Sequence, residues 1–291
     1  MKIVSLKDSM APLFIEYCRR YCREQDITFM PEDGFRADQE NPTYVLVEEG
    51  EVKGAVSLML APELVRQKKG RFRIFHSTLC SLEPYRLMLE AILPHAEGLE
   101  QVMLYIPEAG EMVAGFVKAL GFKALNYSWY MERQNYTVPE AVLPAGCSIR
   151  PLRRGIDEQN WCDLTNKCFN SPPGGITVQM FSKELVQDDY IEGGVMMLYH
   201  ADTPIGAIRI SREHDDKGEL AYISYVSVIE EYRGMGLGRV LLRKALEFAL
   251  EKGLPRAGLA VSAENPRAAQ LYIGEGFERV YSSICYTRLM E

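Results

Sequence analysis

Apolar and polar residues in the first half of the chain follow the strand repeat and the helix repeat in turn. Short apolar or alternating runs predict strands at 2–6, 44–48, 52–60, 72–79, 101–106 and 123–132. Apolar residues every three or four positions predict helices at 9–24, 84–95 and 111–119. Because Glu49, Gly50 and Glu51 separate two of these strands, we expect the two strands to form a hairpin.

The same order of elements begins again after a segment rich in proline and glycine. Residues 133–147 contain Pro139, Pro144 and Gly146, and they are the best candidate for a linker. Beyond them the pattern predicts helices at 158–169, 180–186, 237–252 and 265–275. It predicts strands at 148–152, 195–200, 205–211, 219–228 and 258–261, and a closing strand or pair of strands at 277–290.

Short sequence matches support a duplication. Gly54-Ala55-Val56 corresponds to Gly206-Ala207-Ile208, and each triplet follows the turn of a predicted hairpin. We interpret the chain as a tandem repeat of one α/β domain of about 140 residues, with a mixed sheet. The predicted division is 1–135, a linker at 136–147, and 148–291. The alternative is that any two α/β halves share this order of elements.

Composition narrows the class of protein. The chain has 291 residues, of which 47% are hydrophobic and 25% charged, and it carries a net charge of −7. This is the composition of a soluble globular protein, and the negative charge argues against a nucleic-acid or anionic membrane surface. Seven cysteines without a C-x-x-C pair are expected to be reduced, as in a cytoplasmic protein without a metal site. No signal peptide or membrane helix is predicted.

A glycine-rich segment lies between a predicted strand and a predicted helix. In Arg233-Gly234-Met235-Gly236-Leu237-Gly238, glycine occupies every second position. Glycine tolerates positive φ, so successive N–H groups can point at one anion beside the positive end of the helix dipole. The segment therefore predicts a pyrophosphate site, with an ordinary glycine-rich turn as the alternative. It lacks the spacing of a dinucleotide fingerprint or of a P-loop.

Two motifs together resemble the cofactor motifs of the GNAT superfamily of acyltransferases. They are V-S-V-I-E-E-Y-R-G-M-G-L-G, 226–238, and V-S-A-E-N-P-R-A-A-Q-L-Y-I-G-E-G-F, 261–277. The resemblance implies acetyl-coenzyme A as co-substrate, bound where two parallel strands, 224–228 and 259–261, splay apart. It implies these cofactor-binding residues: Val226, Ser227 and Val228 through their backbone, Arg233, Gly234, Met235, Gly236, Leu237 and Gly238 at the pyrophosphate, and Arg239, Asn265 and Tyr272 nearby.

The resemblance also suggests which side chains carry out the chemistry. It places a general acid at Tyr272, which would protonate the departing thiolate; the alternative is an aromatic residue that only packs in the core. Asn265 before Pro266 is also a favoured helix N-cap. Many family members have a glutamate base early in the strand, where this chain has Tyr222. The sequence leaves three alternatives for the general base, which are Glu219, Tyr222 and a water chain.

The first half lacks both motifs. Cys80-Ser81-Leu82-Glu83 stands where a glycine-rich loop would be, and Val113 and Val117 fall near the places of the asparagine and the tyrosine. We expect this half to be a degenerate copy that does not bind coenzyme A productively. The arrangement resembles tandem GNAT proteins of the mycothiol synthase type, with catalysis in the C-terminal half. No residue identifies mycothiol as the acceptor.

These observations predict an N-acetyltransferase that passes the acetyl group directly to an amine, because neither motif contains a cysteine or histidine. A coenzyme A-binding regulatory or scaffold module without turnover is the alternative, and a longer acyl donor is a third possibility. The acceptor is expected to be a small molecule or a peptide, bordered by the loop 170–177 and the hairpin near Ala201. The acids Asp188 and Asp189 could attract a cationic amine. The protein is expected to be a monomer or a homodimer.

Overall fold

A computed structural model describes residues 1–24, 29–108, 110–134, 137–169, 175–215 and 217–290. The chain forms two compact units. Unit 1 contains Met1–Ser128 and Tyr281–Glu291, and unit 2 contains Trp129–Val280. Each unit is a mixed sheet with helices on both faces.

The sheet of unit 1 has the strand order β1-β2-β3-β4-β5-β12, where β12 is Glu278–Leu289 from Tyr281 onward. The pairs are antiparallel except for β4 with β5. Its elements are β1 Lys2–Ser5, α1 Ala11–Arg20, β2 Thr43–Glu48, β3 Glu51–Met59, α2 Pro62–Arg66, β4 Lys69–Ser77, α3 Leu82–Ile92, β5 Gln101–Pro107 and α4 Glu111–Ala119. The last strand, β12, comes from the far end of the chain.

Two apolar clusters cover the two faces of this sheet. One joins α3 and α4 to the sheet through wholly or almost wholly buried residues, among them Leu58, Met88, Ile92 and Val117. The other joins α1 through Phe14 and Cys18. The short helix α2 was not predicted, because Pro62–Arg66 is too short to show a helical repeat.

Unit 2 repeats the arrangement in the order β6-β11-β10-β9-β8-β7. Its elements are β6 Lys123–Gln134 from Trp129 onward, β7 Cys147–Pro151, α5 Glu158–Cys168, α6 Val178–Glu184, β8 Tyr190–His200, β9 Thr203–Asp215, β10 Gly218–Val228, α7 Leu237–Glu251, β11 Arg256–Ser262 and α8 Pro266–Gly274. The strands β10 and β11 run parallel, and β7, β8, β9 and β10 pair antiparallel in sequence.

The faces of the second sheet are covered by different helices. On one face α7 and α8 pack through a cluster that includes Leu241, Leu242, Ala245 and Leu246, all fully buried. This confirms the apolar face predicted for the helix after the glycine segment. On the other face α5 and α6 pack through Trp161 and Phe181.

The closing strand lies in a different unit from the predicted one. β12, Glu278–Leu289, pairs antiparallel with β5 from Ser283↔Pro107 to Leu289↔Gln101, and Tyr286 is buried in the core of unit 1. The compact units therefore differ from the division at 135 and 148, since Trp129–Gln134 belongs to unit 2 and Tyr281–Glu291 to unit 1. Apolar alternation identifies a strand but contains no information on which strand it pairs with.

Candidate active site

The glycine segment forms an open cradle at the beginning of α7. Gly234 and Gly236 have left-handed φ values of 82° and 77°, and Gly236 is the N-cap of the helix. A Cβ added at either glycine would meet no atom within 4 Å, so the space above the backbone is open. Leu237 is 1% exposed and anchors the first turn in the core. These features fit a bound phosphate group, because the first N–H groups of a helix have no partner within the helix and the positive end of its dipole favours an anion.

The strand before the cradle separates from its parallel neighbour. β10 and β11 are in register at Ala221↔Ala257 and Tyr222↔Gly258, and within the described residues the pairing stops there. On its other side, β10 stays paired with β9 up to Val228↔Gly206. The backbone of Val226–Val228 therefore has one edge without a strand partner on the β11 side, as the resemblance implied for the binding of an extended cofactor arm.

Close packing against β9 fixes the end of β10. A Cβ at Gly206 would come within 2.7 Å of the Ser227 carbonyl oxygen, so only glycine lets the two strands approach this closely. The Ser227 hydroxyl donates to the Ala207 carbonyl at 3.3 Å. The Nε of Arg233 donates to the Val228 carbonyl at 2.9 Å, which ties the cradle back to the strand, while the rest of Arg233 is exposed with Met235.

Asn265 and Tyr272 lie on α8 as predicted. The Asn265 side chain accepts from the Ala268 N–H at 3.1 Å, which confirms the N-cap. Tyr272 is 7% exposed and its ring lies edge-on to Phe277 at 6.0 Å. Burial, and to a smaller extent the neighbouring Tyr222, raises the pKa of Tyr272 to about 12. At neutral pH the phenol therefore holds its proton, as a general acid must.

The two candidates for the base are placed very differently. Tyr222 occupies the last paired position of β10 and β11, and its phenol acts electrostatically on Tyr272. Glu219 lies near the start of β10, opposite His214, and its carboxylate accepts from Arg212. Since a strand rises about 3.3 Å per residue, Glu219 is roughly 25 Å along the strand from Ser227. The structure brings Tyr222 and Tyr272 together and leaves Glu219 apart.

Arg239 is held by a buried carboxylate that sequence reasoning missed. Glu275, at the end of α8, is buried, and its side chain is 1% exposed. It forms an ion pair with Arg239 at 3.0 Å and accepts from Arg243 at 2.8 Å, and both arginines lie on α7. Arg239 is therefore a partner of Glu275 as well as a neighbour of the cradle. The available signal was a pair of arginines four residues apart on the polar face of α7.

Of the residues expected to border the acceptor site, 170–174 lie outside the described part of the chain. Asp189 accepts from Arg209 at 3.0 Å, and Arg209 is 3.3 Å from Glu184. Ala201 forms the turn between β8 and β9 with a left-handed φ of 52°. Asp189 therefore already pairs with a cationic side chain, that of Arg209, and this weakens the expectation that Asp189 attracts a cationic amine.

The corresponding region of unit 1 lacks a glycine cradle. β4 and β5 pair in parallel only from Lys69↔Gln101 to Arg71↔Met103, so these strands also separate. The cleft beside them, lined by Ile74, Phe75 and Leu104 among others, has a volume of about 10 Å³. That is room for about one water molecule. α3 begins at Leu82 without a glycine, and Glu83 in its first turn pairs with Arg86 at 3.2 Å.

The family comparison matches the part of unit 2 just described. Residues 159–277 match the family model described as "Acetyltransferase (GNAT) family". This segment of the chain is similar to that family. The match contains the cradle, the separated strands, Asn265 and Tyr272.

Relatives and solved structures extend the similarity to the rest of the chain. The chain is 25% identical to a mycothiol acetyltransferase of Arthrobacter sp. (strain FB24), over 68% of this chain and 64% of the relative. It is 25% identical to that of Paenarthrobacter aurescens (strain TC1), over 83% and 72%. The matched segment thus spans less than two thirds of the first relative's length.

A solved tandem GNAT protein from the clavulanic acid biosynthesis pathway covers 99% of this chain, and the match covers 98% of that protein. The TM-score is 0.69 at 15% identity. The chain thus has the tandem GNAT fold. No helix in the described ranges has the length and apolar character needed to cross a membrane. In the same ranges, His, Cys, Asp and Glu form no group of three that could hold a metal ion.

Proposed function

We propose that the protein is an N-acetyltransferase that transfers an acetyl group from acetyl-coenzyme A to an amine in unit 2. The observation that carries this proposal is the open glycine cradle at α7 beside a buried, protonated Tyr272. Bound acetyl-coenzyme A would supply an acetyl group activated as a thioester. The two-domain fold and the relatives named as acetyltransferases support the proposal.

Each part of the site has a distinct task. The N–H groups from Gly234 to Gly238 and the N-terminus of α7 hold the diphosphate by charge and hydrogen bonding. The free edge of Val226–Val228 holds the extended arm and orients the acetyl carbonyl. Asn265 is occupied as the cap of α8 and sets the beginning of the helix that carries Tyr272.

Tyr272 supplies the proton. Its hydroxyl protonates the sulfur that leaves, and burial keeps the phenol neutral until it is needed. The attacking nitrogen must lose a proton as well. Because Glu219 is paired with Arg212 far along β10, Tyr222 or a water chain is the better candidate for accepting it.

Direct transfer is favoured over a covalent enzyme intermediate. The one thiol beside the described site is that of Cys168, at the end of α5, next to Ser227 and Arg233. Burial raises the pKa of Cys168, which disfavours the nucleophilic thiolate. We expect Cys168→Ser to retain the transfer rate; loss of transfer together with an acetylated Cys168 in the wild type would contradict direct transfer.

Activity is tested by following free thiol release from acetyl-coenzyme A across a panel of small-molecule and peptide amines. We expect transfer to at least one amine, and acetylated product identified by mass spectrometry. Glu219 pairs with Arg212 far along β10, so it is poorly placed to serve as the base. This favours a second candidate, a coenzyme A-binding module without turnover. Binding of acetyl-coenzyme A without transfer or slow hydrolysis would support that module and overturn the enzyme.

A further inference from the structure

Tyr225 has an unusual backbone conformation at the point where β10 leaves β11. Its φ is 55°, in the left-handed region. The other described non-glycine residues with positive φ, Glu49, Lys68 and Ala201, lie in connections outside the strands. Tyr225 lies inside a strand, where a bulky side chain makes this conformation sterically unfavourable. Something in unit 2 must hold it there.

The conformation produces a bulge in β10. The register with β9 runs through Ser224↔Arg209 and resumes at Ser227↔Ala207, so Tyr225 and Val226 together face a single residue, Ile208. The bulge bends the strand and turns the segment that follows. That segment, Val226–Val228, is the one assigned to the cofactor arm above.

A column of aromatic rings holds the Tyr225 side chain. Its ring meets Trp161 of α5 edge-on at 5.1 Å and Phe169 at 6.2 Å. Trp161 in turn stacks on Phe181 of α6 at 3.8 Å, with an interplanar angle of 4°. Trp161 and Phe181 are wholly buried. The column therefore packs the ring of Tyr225 against α5, and α6 supports it from behind through the stack of Phe181 on Trp161, so that the ring restrains the backbone that carries it.

An ion-pair cluster reinforces the same place. Arg209, which faces Ser224 immediately before the bulge, reaches Glu184 at the end of α6 at 3.3 Å and Asp189 before β8 at 3.0 Å. The helix α6 is therefore attached to this point of the sheet twice, through Phe181 in the column and through Glu184. A displacement of Tyr225 would have to disturb well-anchored neighbours.

We propose that Tyr225 is a positioning residue for the acetyl donor, because its ring, clamped by Trp161 and Phe169, keeps the left-handed bulge that presents the free edge of Val226–Val228. The role rests on the proposed function of unit 2. It assigns the ring a purpose beyond packing, since packing alone does not require a left-handed backbone. Neither family motif contains Tyr225, and it immediately precedes the first of them.

Three substitutions separate the ring from the backbone conformation. Tyr225→Phe keeps the ring, Tyr225→Ala loses the ring and retains the steric cost, and Tyr225→Gly loses the ring but adopts positive φ freely. We expect Phe to bind acetyl-coenzyme A within about twofold of wild type and Ala to bind at least about tenfold more weakly. Gly should bind more tightly than Ala. The loss should appear in the KM for the donor more than in kcat.

A purely structural role predicts a different order. It would give Ala and Gly the same affinity, and equal affinity of the two would overturn the proposal. Leu152→Ala is the matched control, since Leu152 is 7% exposed in the same cluster as Trp161 but lies outside the column. It should lower stability without changing the Kd for acetyl-coenzyme A.

Amide hydrogen exchange tests the positioning without the ligand. The Val226–Val228 amides should exchange at least about tenfold faster in Tyr225→Ala than in Tyr225→Phe or Tyr225→Gly. Equal exchange rates in the three variants would contradict the proposal that the Tyr225 ring maintains the bulge. The three variants can show this exchange pattern while the wild-type protein fails to bind acetyl-coenzyme A. In that case the proposed function is wrong, and the effect of Tyr225 on the strand conformation is still supported.

Discussion

The two units contain the same junction of strand, loop and helix, built from different residues. In each, a parallel strand pair ends early, at Arg71↔Met103 in unit 1 and at Tyr222↔Gly258 in unit 2. In each, the strand then shows a register shift against its antiparallel neighbour, at Arg73 in β4 and at Tyr225–Val226 in β10. The backbone plan of a cofactor cleft is therefore present twice.

What differs is the chemistry at the helix that follows. In unit 2 the helix begins at a left-handed Gly236 in open space, and a buried phenol stands on α8. In unit 1 the helix begins after Ser81, with Glu83 in its first turn, and the buried Val117 occupies α4. A carboxylate at that helix end would repel a phosphate, and a valine cannot donate a proton. We therefore expect unit 1 to retain the strand arrangement of unit 2 but not the binding of coenzyme A.

The largest expected effect comes from closing the cradle. Gly236→Glu places a side chain and a negative charge where the diphosphate would bind, and we expect affinity for acetyl-coenzyme A to fall by at least about 100-fold. Gly253→Glu is the matched control, because Gly253 has φ 76° and equally open space at the other end of the same helix. Equal losses in the two variants, measured by calorimetry, would mean that the cradle is not the binding site.

The next effect concerns the proton donor. Tyr272→Phe should keep acetyl-coenzyme A binding and lower kcat by about 100-fold or more. The control in unit 1 is Tyr85→Phe, which removes the hydroxyl that accepts from the Ser77 N–H at 3.2 Å in the core. It should cost about 1 kcal/mol of unfolding free energy and leave kcat unchanged. If kcat is unaffected in Tyr272→Phe, Tyr272 has no part in the chemistry.

A smaller effect is expected at the carboxylate that joins α8 to α7. Glu275→Ala leaves Arg239 and Arg243 without their buried partner, and we expect a loss of about 1–3 kcal/mol in unfolding free energy. In unit 1, Glu83 pairs with Arg86 at the surface, so Glu83→Ala should change stability by less than about 0.5 kcal/mol. Denaturant unfolding of both variants distinguishes these values; similar losses would show that Glu275 is no more than a surface charge.

The smallest effect is a pH dependence in unit 1. His76 is 1% exposed, and its ring nitrogens contact the Tyr17 hydroxyl at 2.8 Å and Glu24 at 3.2 Å. Burial lowers the pKa of His76 below 6.5, although Glu24 opposes the shift. As the pH falls, His76 therefore takes up its proton at a higher pH in the unfolded state than in the folded state. The free energy of unfolding is thus unaffected by His76 above about pH 6.5 and decreases below that pH. His76→Gln should weaken this slope in denaturant titrations at several pH values; an unchanged slope would assign it to other groups.

Much of each unit could be predicted from local patterns, because amphipathic helices such as Leu237–Glu251 and N-caps such as Asn265 depend on neighbouring residues in sequence. The place of β12 in unit 1 could not, since its pairing with β5 joins Leu289 to Gln101 across most of the chain. The bulge at Tyr225 was not predicted either, because nothing in the neighbouring sequence indicates that a tyrosine here adopts a left-handed backbone conformation. The ion pair of Glu219 with Arg212 was not predicted either, since the sequence does not show which side chains of β9 lie beside Glu219.

The most direct test is the number of acetyl-coenzyme A sites in the wild-type chain, measured by calorimetric titration. The open glycine cradle of unit 2, and a helix start in unit 1 that has no glycine and has Glu83 in its first turn, predict one site per chain. Two sites would contradict the contrast between the units, because unit 1 would then bind the cofactor without a glycine cradle. No binding would contradict the acetyltransferase proposal itself.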